Sequence, residues 1–203
     1  MRLDKITIGS PKDSPTHQFK NLKNVTIDFD QKQWVTVVIG WNGTGKSNVI
    51  EAIAMIFRDF IQGARKPAFA FNLEYRISTG SDILHINIDA DPDRSREALI
   101  VFVATASEAK GQGTLTTLNE NEPEISALRG KKLSLKKFLD ADSRFLPRYV
   151  FAYYSGESDR LYQVFRPYLE EFDKKLRRGE DPGLKRLFYA MPVHSQFVLL
   201  AFL

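Results

Sequence analysis

One stretch limits what this chain can fold into. Gly40 to Ser47, GWNGTGKS, fits the pattern G-x-x-x-x-G-K-[ST] at every fixed position. Ahead of it, Val35 to Ile39 is an unbroken β-branched run, the composition of a buried strand. Behind it the spacing becomes helical, with Val49, Ile50, Ile53, Ile56 and Phe57 on one side. Strand, glycine-rich loop and helix in that order form the setting in which the pattern cradles phosphate. Outside that setting the same glycines make an ordinary turn.

The chemistry explains the residue types. Gly40, Gly43 and Gly45 let the backbone curl tightly and aim several N–H groups at one anion. A helix starting near Lys46 points its positive dipole end at the same place. Lys46 is expected to reach the β- and γ-phosphates as a mobile charge, and the Ser47 hydroxyl to hold Mg²⁺. The expected nucleotide-binding set is Gly40, Asn42, Gly43, Thr44, Gly45, Lys46, Ser47 and Asn48, with ATP and Mg²⁺ as ligands.

Composition narrows the classes. With 203 residues, 43% hydrophobic and 27% charged, the chain can bury a sizeable core. It has no cysteine, which excludes disulfides, thiolate metal sites and thiol catalysis and suits the cytoplasm. The start, MRLDKITIGS, reads as a strand and lacks a signal-peptide core, and no apolar run reaches the length of a membrane span. The net charge of +4 permits nucleic-acid contact, although a solvated surface explains it as well.

Taken in order, Leu3 to Ile8 reads as a short strand, placed at a sheet edge, and Gly9 to Pro15 as a loop. Val25, Ile27 and Phe29 alternate with polar residues in a second strand. The phosphate-loop helix should run from Lys46 to about Ile61. Phe71 to Ile77 and Leu84 to Ile88, joined by Thr79–Asp82, predict a hairpin, with Leu99 to Ala104 as a third strand. Residues 107–130 read as a surface loop or insertion. Ser134 is placed to cap a helix from Leu135 to Ala141, and Arg148 to Tyr154 reads as a core strand. Asp159 to Arg178 is helical, with an apolar stripe of Leu161, Phe165, Leu169, Phe172 and Leu176, and Pro167 should kink or split it. A short strand is expected at Leu187–Tyr189, then an apolar helix or strand from Val193 to Leu203.

"FKNLKNVTIDF" followed by "VIGWNGTGKSNVIEAI" resembles the start of ABC-type ATPases of the SMC, RecF and OLD kind. Asn42 and the run Asn48 to Ile53 separate this group from generic phosphate-loop kinases and GTPases. Trp41 and Gln18 are minor departures. "RYVFAYYSGES" and "RLFYAMPVHSQFVLLAF" are similar to bacterial AAA-family ATPases of restriction or phage-defence systems.

The resemblance implies an α/β fold of the phosphate-loop NTPase type. It would be an ABC-like N-terminal lobe with a mixed sheet and an antiparallel β subdomain. The lobe would span 1–203, with a phosphate-loop core at 1–62, a β layer at 70–105, an insertion at 106–130 and a strand-plus-helix portion at 131–203. The resemblance also places Lys20 near the α-phosphate, where an exposed flanking lysine is the plainer reading. Two such heads, or this chain and a C-terminal half, would sandwich ATP and act on DNA.

Turnover in that family also needs a signature loop and an acidic strand end. Tyr154 to Ser158, YSGES, imitates the first, but no acidic strand follows it. Ser155 stands where the family places a glutamine contacting nucleotide, and Gln196 is a second candidate, with Gln163 a poorer one. For each of these, packing or capping competes. Ile83 to Asp91 imitates the acidic strand but alternates in polarity, as an acidic hairpin rim would. His17, His85 and His194 are dispersed without metal-ligand spacing. No general base is assigned, and the chain is expected to be the first half of an ATPase that hydrolyses only when completed. A nucleotide-switched DNA-binding or interaction module without turnover is the alternative.

Overall fold

The computed structural model describes residues 1–29, 35–80, 82–105, 130–140, 144–154 and 158–191. Six strands form one sheet in the order β2-β1-β3-β4-β5-β6, every neighbouring pair antiparallel: β1 (Arg2–Ile8), β2 (Val25–Asp28), β3 (Phe71–Thr79), β4 (Asp82–Ala90), β5 (Leu99–Thr105) and β6 (Lys131–Leu133). The first strand is therefore not at the edge; β2 takes that place. The expected hairpin and third strand appear as β3, β4 and β5.

Alternation makes this sheet one-sided. Ile6 lies opposite Leu73, Leu73 opposite Ile88 and Ile88 opposite Val101, and all four are buried. The reverse face carries polar pairs, with Arg76 donating to Asp4 at 2.8 Å and Asn87 to Glu74 at 3.2 Å, beside Phe102 and Ile100 of β5.

Helix α1 (Lys46–Ile61) supplies the cover for the apolar face. Its buried Val49, Ile56, Phe57 and Phe60 join the sheet side chains in one cluster. Phe57 meets Tyr75 edge-on, with ring centroids 5.9 Å apart. Phe60 meets Phe138 in the same way at 5.2 Å. Phe138 belongs to α2 (Leu135–Phe138), shorter than its pattern suggested, and Ser134 makes no side-chain cap there.

The opposite side of α1 carries Ala54, which packs with Leu161, Val164, Phe165 and Leu187 in a second cluster. These come from a βαβ unit: β7 (Val150–Tyr153), α3 (Arg160–Arg177) and β8 (Leu187–Ala190), with the two strands parallel and Val150 opposite Leu187. Thus α1 is the central layer, between the antiparallel sheet and α3.

Three expectations are corrected. Strand β7 is not a core strand, because Phe151 is 73% exposed and Tyr153 60% exposed. Pro167 does not divide α3, which runs unbroken. The proline removes only the bond to the Gln163 carbonyl, and both residues face solvent, where water can serve that oxygen. The stripe on α3 is buried only at Leu161 and Phe165, while Leu176 is exposed.

Val35 to Ile39 forms no strand. Val35, Val37 and Ile39 are 74%, 73% and 89% exposed. A parallel strand needs a neighbour in the hydrogen-bonding direction and cover on both faces. Among the described residues, no strand pairs with this run. Of the loop or insertion expected at 106–130, residues 106–129 lie outside the described residues, as does the whole of the expected apolar helix or strand from Val193 to Leu203.

Candidate nucleotide site

The loop from Gly40 to Ser47 is held by its own backbone and by the N-terminal segment. Thr44 donates its hydroxyl to the Trp41 carbonyl at 2.8 Å, closing the turn. Gly43 and Gly45 have φ of 88° and 97°, values that L side chains rarely adopt. Gly40 lies outside that region; its glycine answers to close approach, since a Cβ there would sit 3.0 Å from the Thr44 hydroxyl oxygen. Gly45 is the N-cap of α1, without a side-chain cap, and Val49 donates the first helical bond to its carbonyl at 3.0 Å. The N–H groups of the first turn have no carbonyl one turn earlier to bond, so they suit an anion.

Lys46 folds back over this loop. Its ammonium donates to the carbonyls of Gly40 at 2.5 Å and Trp41 at 2.7 Å. Those two carbonyls hold the ammonium against the loop.

A polar lattice continues from the loop into the fold. Asn21 donates to the Gly43 carbonyl at 3.3 Å, and Asn48 donates to the Asn21 side-chain oxygen at 2.6 Å. Arg160, at the start of α3, donates to the Asn48 side-chain oxygen and, at 3.0 Å, to Glu51. Lys20 donates to the other Glu51 oxygen at 2.5 Å. Glu51 is buried within α1, so one carboxylate joins the N-terminal segment, the loop helix and α3. Sequence reasoning placed Lys20 beside nucleotide and missed both Arg160 and Glu51 as its companions. The only available signal was the Asn48–Ile53 wording, which contains Glu51.

A family description, AAA ATPase domain, matches residues 16–147, well over half of the chain. The chain belongs to the AAA ATPase domain family. Comparison with curated proteins and with solved structures found no match. Membership carries the phosphate-loop NTPase fold and nucleotide binding of the AAA ATPase kind, and the matched span includes the whole of Gly40–Ser47. Among the described residues of this AAA ATPase domain, no helix is long and apolar enough to cross a membrane.

The other predicted positions divide. Ser155 and Gln196 lie outside the described residues, as do His194 and most of YSGES. Gln163 donates to Asp159 at 2.6 Å on the exposed side of α3. Asp89 lies near the end of β4 and Asp91 just beyond it, Asp89 paired with Arg94 at 2.5 Å and Asp91 with Lys12 at 2.7 Å. Asp89 fits a hairpin rim, whereas Asp91 is buried. The histidines are not brought together among the described residues, but the fold sets His17 beside Asp91 and Asp93, a grouping with carboxylates that the spacing of the histidines did not show. A separation of more than seventy residues hid that meeting.

Proposed function

We propose that this chain is an ATP-binding head of an ABC-type ATPase, acting in DNA maintenance or anti-phage defence through nucleotide-driven head dimerisation. Gly40–Ser47 capping α1 with a left-handed glycine is the observation that carries the reading. The triphosphate lies along the loop N–H groups, Lys46 leaves its two carbonyls for the β- and γ-phosphates, and Ser47 holds Mg²⁺. Asn42, Thr44 and Asn48 line the same cradle. Lys20, Ser155 and Gln196 are its outlying nucleotide contacts. A second head or a C-terminal half supplies the signature loop and general base.

The test separates ATP binding from turnover, with and without DNA ends. Lys46→Ala should lower ATP affinity at least about tenfold, or about 1.4 kcal/mol, while far-UV circular dichroism stays unchanged. Undiminished ATP affinity in that variant would sink the reading.

A second reading rests on the occupied carboxylates. Glu51 is held by Lys20 and Arg160, Asp89 by Arg94, and Asp91 by Lys12. None of these acids is left to activate water, which favours a nucleotide-switched binding module for this chain alone. Binding without turnover supports that version; turnover by the isolated chain excludes it.

A further inference from the structure

We propose that His17, Asp91 and Asp93 bind one divalent first-row transition-metal ion, with Zn²⁺ the best match, at a site separate from the phosphate loop. The three residues each present a ligand atom, all within 4.8 Å of one another. His17 ends a short 3₁₀ turn, Pro15–His17, and is 1% exposed. The two aspartates flank Pro92 in the connection after β4.

The geometry at His17 points to an ion. Its Nε2 lies 3.2 Å from an Asp91 oxygen and 3.1 Å from an Asp93 oxygen. Yet this buried nitrogen has no hydrogen-bond partner, because neither oxygen lies where a bond from it would run. Two ligand atoms bound at about 2.0–2.2 Å to a common ion sit roughly 3.0–3.4 Å apart. The spacing is that of ligands around an ion.

The surroundings hold each ligand by its other end. His17 Nδ1 is 2.5 Å from the Ser10 hydroxyl oxygen. When Nδ1–H donates there, Nε2 is a bare lone pair, and the outer hydrogen bond fixes the ring as it does for metal-ligating histidines. A bare Nε2 lone pair directed between two nearby carboxylate oxygens is repelled by both unless a cation sits among the three. The free end of Asp91 accepts from Lys12 at 2.7 Å, and that of Asp93 accepts from Thr16 at 2.8 Å. The Asp93 backbone N–H donates to Asp91 at 3.0 Å. The Asp93 carboxylate is 45% exposed, which opens an entry path and a place for water to complete the coordination. One imidazole and two carboxylates suit Zn²⁺ or Mn²⁺. Lys12 stays on the far oxygen of Asp91 and moderates the affinity.

The ion's role is structural. It joins the loop before β2 to the connection between β4 and β5, and the segment it anchors leads directly to Lys20 and Asn21 beside the phosphate loop.

The test uses the full 203-residue chain, stripped with EDTA and free of nucleotide. Zn²⁺ alone is titrated in competition with a chromophoric chelator, in the wild type and in Lys46→Ala. One equivalent should bind in both, which separates this site from the nucleotide cradle. Asp93→Ala should bind at least about tenfold more weakly, and Zn²⁺ should raise Tm in the wild type but not in that variant. In the wild type, Zn²⁺ should also shift the His17 Nε2 nitrogen resonance, a readout that needs no variant. Absence of Zn²⁺ binding to the wild type, equal binding by Asp93→Ala, or an unmoved His17 resonance overturns the proposal.

Discussion

Replacing Gly43 and Gly45 separately by alanine isolates the packing of the N-terminal segment against the loop. Both residues have left-handed backbones, so each alanine incurs about 1–2 kcal/mol of backbone strain. Each also gains about 0.4–1 kcal/mol from a less flexible unfolded chain, and that gain cancels between the two variants. The surroundings differ. A Cβ at Gly43 meets nothing within 4 Å. At Gly45 it would lie 2.8 Å from a Leu22 methyl and 3.1 Å from the Asn21 side-chain oxygen. Leu22 is 2% exposed and cannot swing aside, and Asn21 is engaged with both Gly43 and Asn48. Overpacking of this kind costs about 1–3 kcal/mol. Gly45→Ala should therefore be less stable than Gly43→Ala by about 2 kcal/mol, or roughly 4–8 °C in Tm for a domain of this size. Urea unfolding of both variants, followed by circular dichroism, measures the difference. Equal midpoints would refute the close approach of residues 21 and 22 to the loop.

Glu51→Gln should destabilise by about 1–2 kcal/mol, below the roughly 3–5 of a fully buried pair, because its cations retain water; Lys20 is 41% and Arg160 35% exposed. A double-mutant cycle with Arg160→Gln should show coupling in denaturant midpoints, and additive losses would count against the bridge. Tyr75 donates its hydroxyl to the Phe145 carbonyl at 2.7 Å, and burial raises its pKa far above the ordinary phenol value. Tyr75→Phe should cost about 0.5–1.5 kcal/mol in urea unfolding by removing that buried hydrogen bond. Burial lowers the His85 pKa, with Asp4 opposing it and Arg76 adding to it. The unfolded chain thus binds a proton more readily, so stability should fall as pH drops through about 6.5. His85→Gln should flatten that slope between pH 7 and 5.

Local pattern made much of this fold legible. Strict alternation in Phe71–Ile77 and Leu84–Ile88 identifies β3 and β4 because one face of an antiparallel sheet is buried. Helix α1 was readable to its ends, since glycines flank an apolar stripe. Val35–Ile39 misled for a physical reason: β-branched composition states what a strand would prefer, and pairing depends on a neighbour that composition does not contain. The loop residues were legible because phosphate chemistry fixes their spacing. The tie from Glu51 to Arg160 was not, as a bridge across more than a hundred residues leaves no period behind, and Lys20 was found without its partner Glu51. The same holds for His17 with Asp91.

The carboxylate of Glu51 is outnumbered by its cations. It faces two cations, Lys20 and Arg160, so the trio carries a net positive charge. That surplus stands next to Asn48 on the first turn of α1, where Lys46 adds another. A polyanion approaching from bulk water meets an attractive field before it touches the glycine loop. Capture should then be fastest in dilute buffer and slow as added salt shortens the reach of that field.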